Sequence, residues 1–165
     1  MGKFEFPKLS RDDILEGMRA VWKPLLKFVP RVILLANRWI IFQFLSEEDR
    51  MVIESQFLAI GHGSLVLERW HVGFDPLMSS LSKRHLWVIL LNFLVHCWNL
   101  KGFMSVVNSL GRFILMEDEQ LLGFERVSPM VLVEMEVDEC FPAELEVIWD
   151  MNSFIHRLDY WSILF

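Results

Sequence analysis

Two Ser-x-x-Asp signatures mark the starts of two helices and thereby constrain the fold of the first half of the chain. Ser10 with Asp13, and Ser46 with Asp49, have the spacing of a helix cap in which the serine side chain accepts a backbone hydrogen bond from the third helical residue. The first helix carries apolar residues at helical spacing and is expected to end near Pro24. Segments rich in β-branched and aromatic residues flank both helices and are typical of strands: residues 4–6, 31–36, 39–45 and 64–70.

These elements follow one another in the order strand, helix, strand, strand, helix, strand. Only Asn37-Arg38 separates the two middle strands, which predicts a tight hairpin, and Gly61-His62-Gly63 predicts a turn into the last strand. The order is that of split βαβ folds, which include ferredoxin-like and RNA-recognition domains. We therefore predict an α+β fold whose first unit is a ferredoxin-like, RNA-recognition-like βαββαβ arrangement.

A polar segment at residues 73–84 is the predicted linker to a second unit. In that unit a helix is expected to begin at Asn99 and to end near Gly111. The predicted strands around it are residues 86–91, 112–116 and 130–137. This βαββ order is the same as the order of elements at the start of the first unit, although the two units show no sequence repeat. The predicted organisation is a βαββαβ unit at 1–78, a smaller βαββ unit packed on it at 79–150, and a tail at 151–165.

Charge is distributed unevenly along the chain, although the total is acidic, with 16 Lys and Arg against 22 Asp and Glu. Residues 1–85 hold 12 basic and 10 acidic side chains, whereas residues 86–165 hold 4 and 12. The segment between Glu16 and Glu47 contains no acid. Its cations predict a patch of positive potential that could contact phosphates: Arg19, Lys23, Lys27, Arg31 and Arg38. The alternative interpretation is a solvated helix face beside buried apolar residues.

Base stacking on strand aromatics is the second way in which a fold of this kind binds nucleic acid. The central strand would be residues 38–44, which lacks the glycines of the RNA-recognition signature and has Ile40 where an aromatic residue is expected. Aromatic residues at alternating strand positions are therefore interpreted as core side chains.

Catalysis and metal binding have no support in the residue pattern. His96 and Cys97 are adjacent, whereas a catalytic cysteine and histidine usually come from separate segments. The acidic residues 117–119 lack the alternating ligands and the glycine of a calcium loop, which favours a solvated turn. We therefore predict a protein that is not an enzyme and has no metal and no cofactor.

The expected location is intracellular, either nuclear or cytoplasmic, because the N-terminus does not resemble a secretion signal and the two cysteines have no paired spacing. The most apolar stretch, residues 86–98, is interrupted by Asn92 and His96. It is shorter than the roughly 20 residues that cross a bilayer. We predict no membrane partner, with membrane association through residues 86–107 as the weakest alternative.

Several short motifs follow one another along almost the whole chain. They are Trp22-Lys23-Pro24, Phe42-Gln43-Phe44, Leu67-Glu68-Arg69-Trp70, Phe74-Asp75-Pro76, Leu86-Trp87-Val88, His96-Cys97-Trp98-Asn99, Asn108-Ser109-Leu110-Gly111-Arg112-Phe113 and Val131-Leu132-Val133-Glu134-Met135. In this order and at these spacings they resemble a retrotransposon-derived plant domain of unknown function that normally lies just upstream of a CCHC zinc knuckle. The segment Leu158-Asp159-Tyr160-Trp161 is similar to the one that leads into the first cysteine of the knuckle in that family. Residues 90–95 depart from it, since an arginine and prolines usual there are replaced by apolar residues.

The resemblance implies a module associated with nucleic acid, whose knuckle is absent from this sequence, so that it assigns no zinc ligand here. The leading hypothesis is a non-catalytic module that binds RNA or single-stranded DNA weakly through the cations of residues 19–38. One alternative is a protein-interaction or scaffold domain that pairs through an exposed sheet edge or through the acidic second unit. Another is a truncated copy without a function.

Overall fold

The computed structural model describes residues 1–5, 10–60, 63–116, 128–138 and 140–162. In these ranges it contains two antiparallel five-stranded sheets and three α-helices, which confirms the predicted α+β class. The chain divides into two units, residues 1–81 and 82–165, close to the predicted boundary after residue 78. Two predicted features, Gly61-His62 of the turn and the acidic residues 117–119, lie outside the described residues.

The first unit has the strand order β2-β3-β1-β5-β4, with every neighbouring pair antiparallel. Its elements are β1 (Gly2–Glu5), α1 (Arg11–Trp22), β2 (Arg31–Leu34), β3 (Trp39–Gln43), α2 (Glu47–Glu54), β4 (Ala59–Ile60) and β5 (Gly63–Leu67). Without the two-residue strand β4, the remaining strand order β2-β3-β1-β5 is compatible with the predicted ferredoxin-like arrangement.

Local chemistry explains where these elements begin and turn. Ser10 and Asp13 form the complete capping box predicted for α1, and the Ser46 side chain caps α2 by accepting a hydrogen bond from the backbone N–H of Asp49. Asn37 and Arg38 both have positive φ, 59° and 64°, as a two-residue hairpin turn requires. The hairpin between β2 and β3 is therefore confirmed.

Both helices of the first unit pack on one face of its sheet. The buried residues of this core are Met18, Trp22, Ile40, Phe42, Ile53, Leu58 and Leu65. Because side chains alternate along a strand, Ile40 and Phe42 of β3 face the helices, whereas Trp39 faces the opposite side. Trp39 is nevertheless fully buried.

The second unit has the strand order β7-β8-β6-β10-β9, also antiparallel throughout. Its elements are β6 (Lys83–Leu91), α3 (Leu100–Val107), β7 (Arg112–Met116), β8 (Met130–Glu136), β9 (Glu144–Trp149) and β10 (Asn152–Ser162). The Asn99 side chain caps α3, as predicted. Phe103 and Val107 of this helix are buried in the core of the unit.

The tail predicted at residues 151–165 differs from the structure, because residues 152–162 form β10, which pairs with β6 and β9 inside the sheet. Leu158 of β10 is buried in the core, and Tyr160 packs against it. Residues 144–149, for which no strand was predicted, form β9, where Leu145 and Val147 face the core between exposed glutamates. The described residues of the second unit therefore form five strands, where a smaller βαββ unit followed by a tail was predicted.

The two sheets share one topology. The five strands of the second unit, taken in chain order, occupy the same places in their sheet as the five strands of the first unit. A helix corresponds to α1 in both units, but among the described residues no helix lies between β8 and β9 at the place of α2. None of the described helices combines the length and the apolar character needed to cross a membrane.

Candidate nucleic-acid interface

A groove of about 610 Å³ lies between α1 and the segment that connects it to β2. Its apolar wall comes from the side of α1 that also supplies the core, with Leu15, Met18 and Trp22 at helical spacing. Four cationic side chains line the same groove: Arg11, Arg19, Lys23 and Lys27. None of the described residues that line it is acidic.

Three of the five predicted contact residues meet in this groove. Arg19 lies in the last turn of α1, Lys23 is its C-cap, and Lys27 follows in the connecting segment. Arg31 begins β2 and does not line the groove, and Arg38 lies in the hairpin turn at the other end of β2. The helix ends at Trp22, close to the predicted end near Pro24, so Lys27 and Arg31 lie outside it.

Arg11 lines the groove but was not predicted as a contact residue, although its spacing from Arg19 indicates that the two share a helix face. It lies eight residues before Arg19, which is twice the spacing of four that relates Arg19 to Lys23. Leu15 occupies the position between them, so the run of cations is interrupted although all three residues lie on one face of the helix.

Acidic residues of α2 hold the connecting segment in place. The buried carboxylate of Asp49 accepts hydrogen bonds from the backbone N–H groups of Lys27 and Phe28, at 3.0 and 3.1 Å. The exposed ammonium of Lys27 forms an ion pair with Glu48, and this hydrogen bond raises the pKa of Lys27. Lys27 therefore stays charged, but Glu48 offsets part of its field.

Replacing Asp49 with alanine is expected to destabilise the first unit by about 2 kcal/mol, because two partly buried backbone N–H groups lose a buried, charged acceptor. Urea denaturation followed by tryptophan fluorescence measures this. The matched control is Asp13→Ala, which removes an exposed capping carboxylate and should destabilise the unit less than Asp49→Ala does. Equal effects of the two substitutions would show that Asp49 does not anchor the segment.

Among the described residues, the face of the first sheet opposite the helices does not present the aromatic platform of an RNA-recognition domain. Trp39 is the aromatic residue of β3 on this face, and Phe74 covers it with an edge-on ring contact at 4.9 Å between centroids. Lys3 Nζ lies over the same indole, 5.4 Å from its centroid. Phe42 faces the helices and packs on Trp22. This supports the interpretation of the β3 aromatics as core side chains.

The histidines and cysteines considered as catalytic groups lie in separate environments. Cys97 is buried, and burial raises the pKa of its thiol, which disfavours the reactive thiolate. His96 is exposed and its ring lies 5.0 Å from that of Trp149, whereas buried His156 packs on Phe93. In the described part of the chain, no three His, Cys, Asp or Glu side chains gather as metal ligands would.

Together, the fold and the groove define an α+β protein with two antiparallel sheets of matching topology and a cation-lined cleft on its first unit. Comparison with protein-family models, with curated proteins and with solved structures gives no match. The resemblance to the retrotransposon-derived plant domain therefore stays a prediction, and function is argued from the geometry.

Proposed function

We propose that this protein is a non-catalytic module that binds the phosphate backbone of RNA or single-stranded DNA through the groove beside α1. The observation that carries the proposal is the convergence of Arg11, Arg19, Lys23 and Lys27 on one groove, in whose described lining there is no acidic residue. Cations supply most of the affinity of sequence-independent nucleic-acid binding, because each phosphate that they neutralise releases counterions.

The shape of the groove favours a flexible single strand. The 12 residues of α1 span about 18 Å. Arg11 and Arg19 lie at the two ends of this helix and Lys23 and Lys27 follow it, so the cations are not clustered at one point. A single strand can bend to bring successive phosphates to them. Trp22 in the groove wall is only 3% exposed, so that contacts to phosphates, and not base stacking, would provide the binding energy.

Binding is expected to be weak and strongly dependent on salt. The net charge of −6 opposes the approach of a polyanion, and Glu48 offsets Lys27. Three effective contacts with a single strand correspond to a slope of about −2 in a plot of log K against log salt concentration.

Removing the charges of Arg19 and Lys23 is expected to reduce this slope by about 1.4, because two phosphate contacts are lost. The measurement is fluorescence anisotropy with labelled poly-uridine and poly-deoxythymidine oligonucleotides over a series of salt concentrations. The variant is Arg19→Gln with Lys23→Gln. The matched control is Lys101→Gln with Arg157→Gln, which changes the net charge equally at exposed positions outside the groove.

Two results would refute the proposal. One is the absence of binding even at low salt. The other is an equal loss of affinity in the groove variant and in the control variant, which would show that only net charge matters. Thermal unfolding of both variants verifies that they are folded.

A further inference from the structure

Strand β9 presents an open edge. It is the last strand in the order of its sheet, and among the described residues no strand pairs with its outer side. The Leu158 N–H donates to the carbonyl of Ala143. Because hydrogen-bonded pairs alternate in an antiparallel ladder, the backbone groups of Leu145 and Val147 face β10, and those of Glu144, Glu146 and Ile148 face outward.

A groove of about 510 Å³ runs beside this edge, between β9 and α3. The small residues Gly102, Ser105 and Ser109 line it on the helix side, together with the exposed polar residues Asn99 and Lys101. The Ser105 and Ser109 hydroxyls donate to carbonyls of their own helix, at 2.8 and 2.7 Å, which leaves the wall that they form mainly apolar. Leu145 and Val147 of β9 form the opposite wall.

Other edges of the two sheets are less suited to accept a strand. The β7 edge is interrupted by a shift of register between Phe113 and Leu115, and bulges of this kind limit pairing. Strand β4 has two residues and β2 has four, whereas β9 has six in regular register with β10. Natural sheets often protect their edges with such short or bulged strands, and β9 has neither feature.

The charge around β9 defines the chemistry of a complementary strand. Glu144 and Glu146 are exposed on the face of the sheet directed away from α3, and Asp159 of β10 lies on the same face. Arg157 of β10 forms an ion pair with Glu144 at 3.8 Å. A strand added here would place alternate side chains beside these carboxylates, where lysine or arginine is favoured. The intervening side chains would lie in the apolar groove beside α3.

We propose that β9 and the groove beside α3 bind an extended segment of a partner protein in which apolar and basic residues alternate, and that this segment adds a sixth strand to the second sheet. Main-chain hydrogen bonds to Glu144, Glu146 and Ile148 hold it in this mode of recognition. Trp149, half exposed at the end of the groove, provides an aromatic contact for an apolar side chain. The proposal is independent of nucleic-acid binding by the first unit.

The test uses the whole chain and a labelled synthetic peptide of alternating valine and lysine, with binding measured by fluorescence anisotropy. Glu146→Pro is expected to weaken binding by about tenfold or more, because proline removes an outward N–H and blocks the edge while the bonds to β10 remain. A peptide of alternating valine and glutamate should bind much more weakly than the lysine peptide. Hydrogen exchange should show new protection of the Glu146 and Ile148 amides when the lysine peptide is bound.

A second variant keeps the test decisive if the proline disturbs the fold. Glu144→Gln with Glu146→Gln retains the backbone donors, so it should weaken binding of the lysine peptide and reduce its preference over the glutamate peptide. Binding of the lysine peptide that is unchanged in this variant overturns the proposal, as does binding without protection at β9. A dimer of the free protein that Glu146→Pro dissociates in sedimentation equilibrium also overturns it, since a second copy would then be the occupant of the edge.

Discussion

Replacing Glu134 with glutamine is expected to destabilise the protein by about 3 kcal/mol, the largest effect anticipated for a single charged side chain here. Glu134 lies on the face of β8 opposite the core of α3, and its side chain is only 8% exposed. His85 Nε2 lies 3.2 Å from its carboxylate, Arg112 Nη2 3.1 Å and Lys83 Nζ 3.6 Å. When the carboxylate is lost, Lys83 and Arg112 can turn toward solvent, whereas the buried imidazole of His85 cannot. Because only one partner is left buried, the expected destabilisation is at the low end of the range for a broken buried ion pair.

The same carboxylate makes stability depend on pH. Burial on its own raises the pKa of Glu134, but the hydrogen bond from His85 and the charges of Arg112 and Lys83 outweigh it and lower the pKa to about 2. A group whose pKa is lower in the folded state contributes stability above its unfolded pKa. This contribution, about 3 kcal/mol, is lost as the pH falls from the ordinary value of 4.5 toward 2.

Chemical denaturation of the wild type and of Glu134→Gln at neutral and at acidic pH measures both effects. The difference in the free energy of unfolding should be largest near neutrality and should shrink as the pH falls through this window. Glu136→Gln is the matched control. Glu136 is exposed, and its ion pair with the partly exposed Lys83 is long, at 3.8 Å, so removing this carboxylate should cost less than about 1 kcal/mol. A difference for Glu134→Gln that is constant from neutral to acidic pH would contradict the assigned role.

Replacing Trp39 with alanine is expected to cost about 3 kcal/mol or more, because it removes a fully buried indole together with its contact to Phe74. The indole Nε1 is buried without a hydrogen-bond partner among the described residues, which reduces the net contribution of this side chain. The expected loss is therefore at the lower end for a truncated core tryptophan. Urea denaturation measures it.

The matched control is Trp70→Ala, since Trp70 is 58% exposed and its removal should change stability by less than about 1 kcal/mol. At a temperature where Trp39→Ala is still folded, its affinity for oligonucleotides should equal that of the wild type. A specific loss of binding in the folded variant would instead indicate that Trp39 stacks on a base, and it would place the nucleic-acid contact on the sheet and not in the groove.

Features that depend on near neighbours in the chain were predictable from the sequence. The caps at Ser10 and Ser46 need only the residue three positions later, and the turn at Asn37 needs only a residue that tolerates positive φ. Alternating and helical apolar patterns then placed enough strands and helices to define an α+β fold. The same local character explains why Arg19 and Lys23, one turn apart, line the same groove.

The C-terminal strands β9 and β10 were the least predictable part of the fold. Strands β9 and β10 carry exposed apolar residues such as Ile148 and Ile155 on the face where a polar residue is expected, which obscures the alternation. Their partners are distant in sequence, since β10 pairs with β6 across more than sixty residues. Only the completed sheet shows that residues 152–162 belong inside it.

The sequence by itself thus determined the class of fold, the capped helices and the presence of a basic segment in the first unit, because these follow from composition and from contacts a few residues apart. Only the tertiary structure decided which cations share a groove, that Trp39 is covered, that three basic side chains surround Glu134, and that β9 lies at an edge of its sheet. Each of these depends on contacts between segments that are separated in the chain, such as Asp49 with the segment after α1, Phe74 with Trp39 and β6 with β8, which no local pattern specifies.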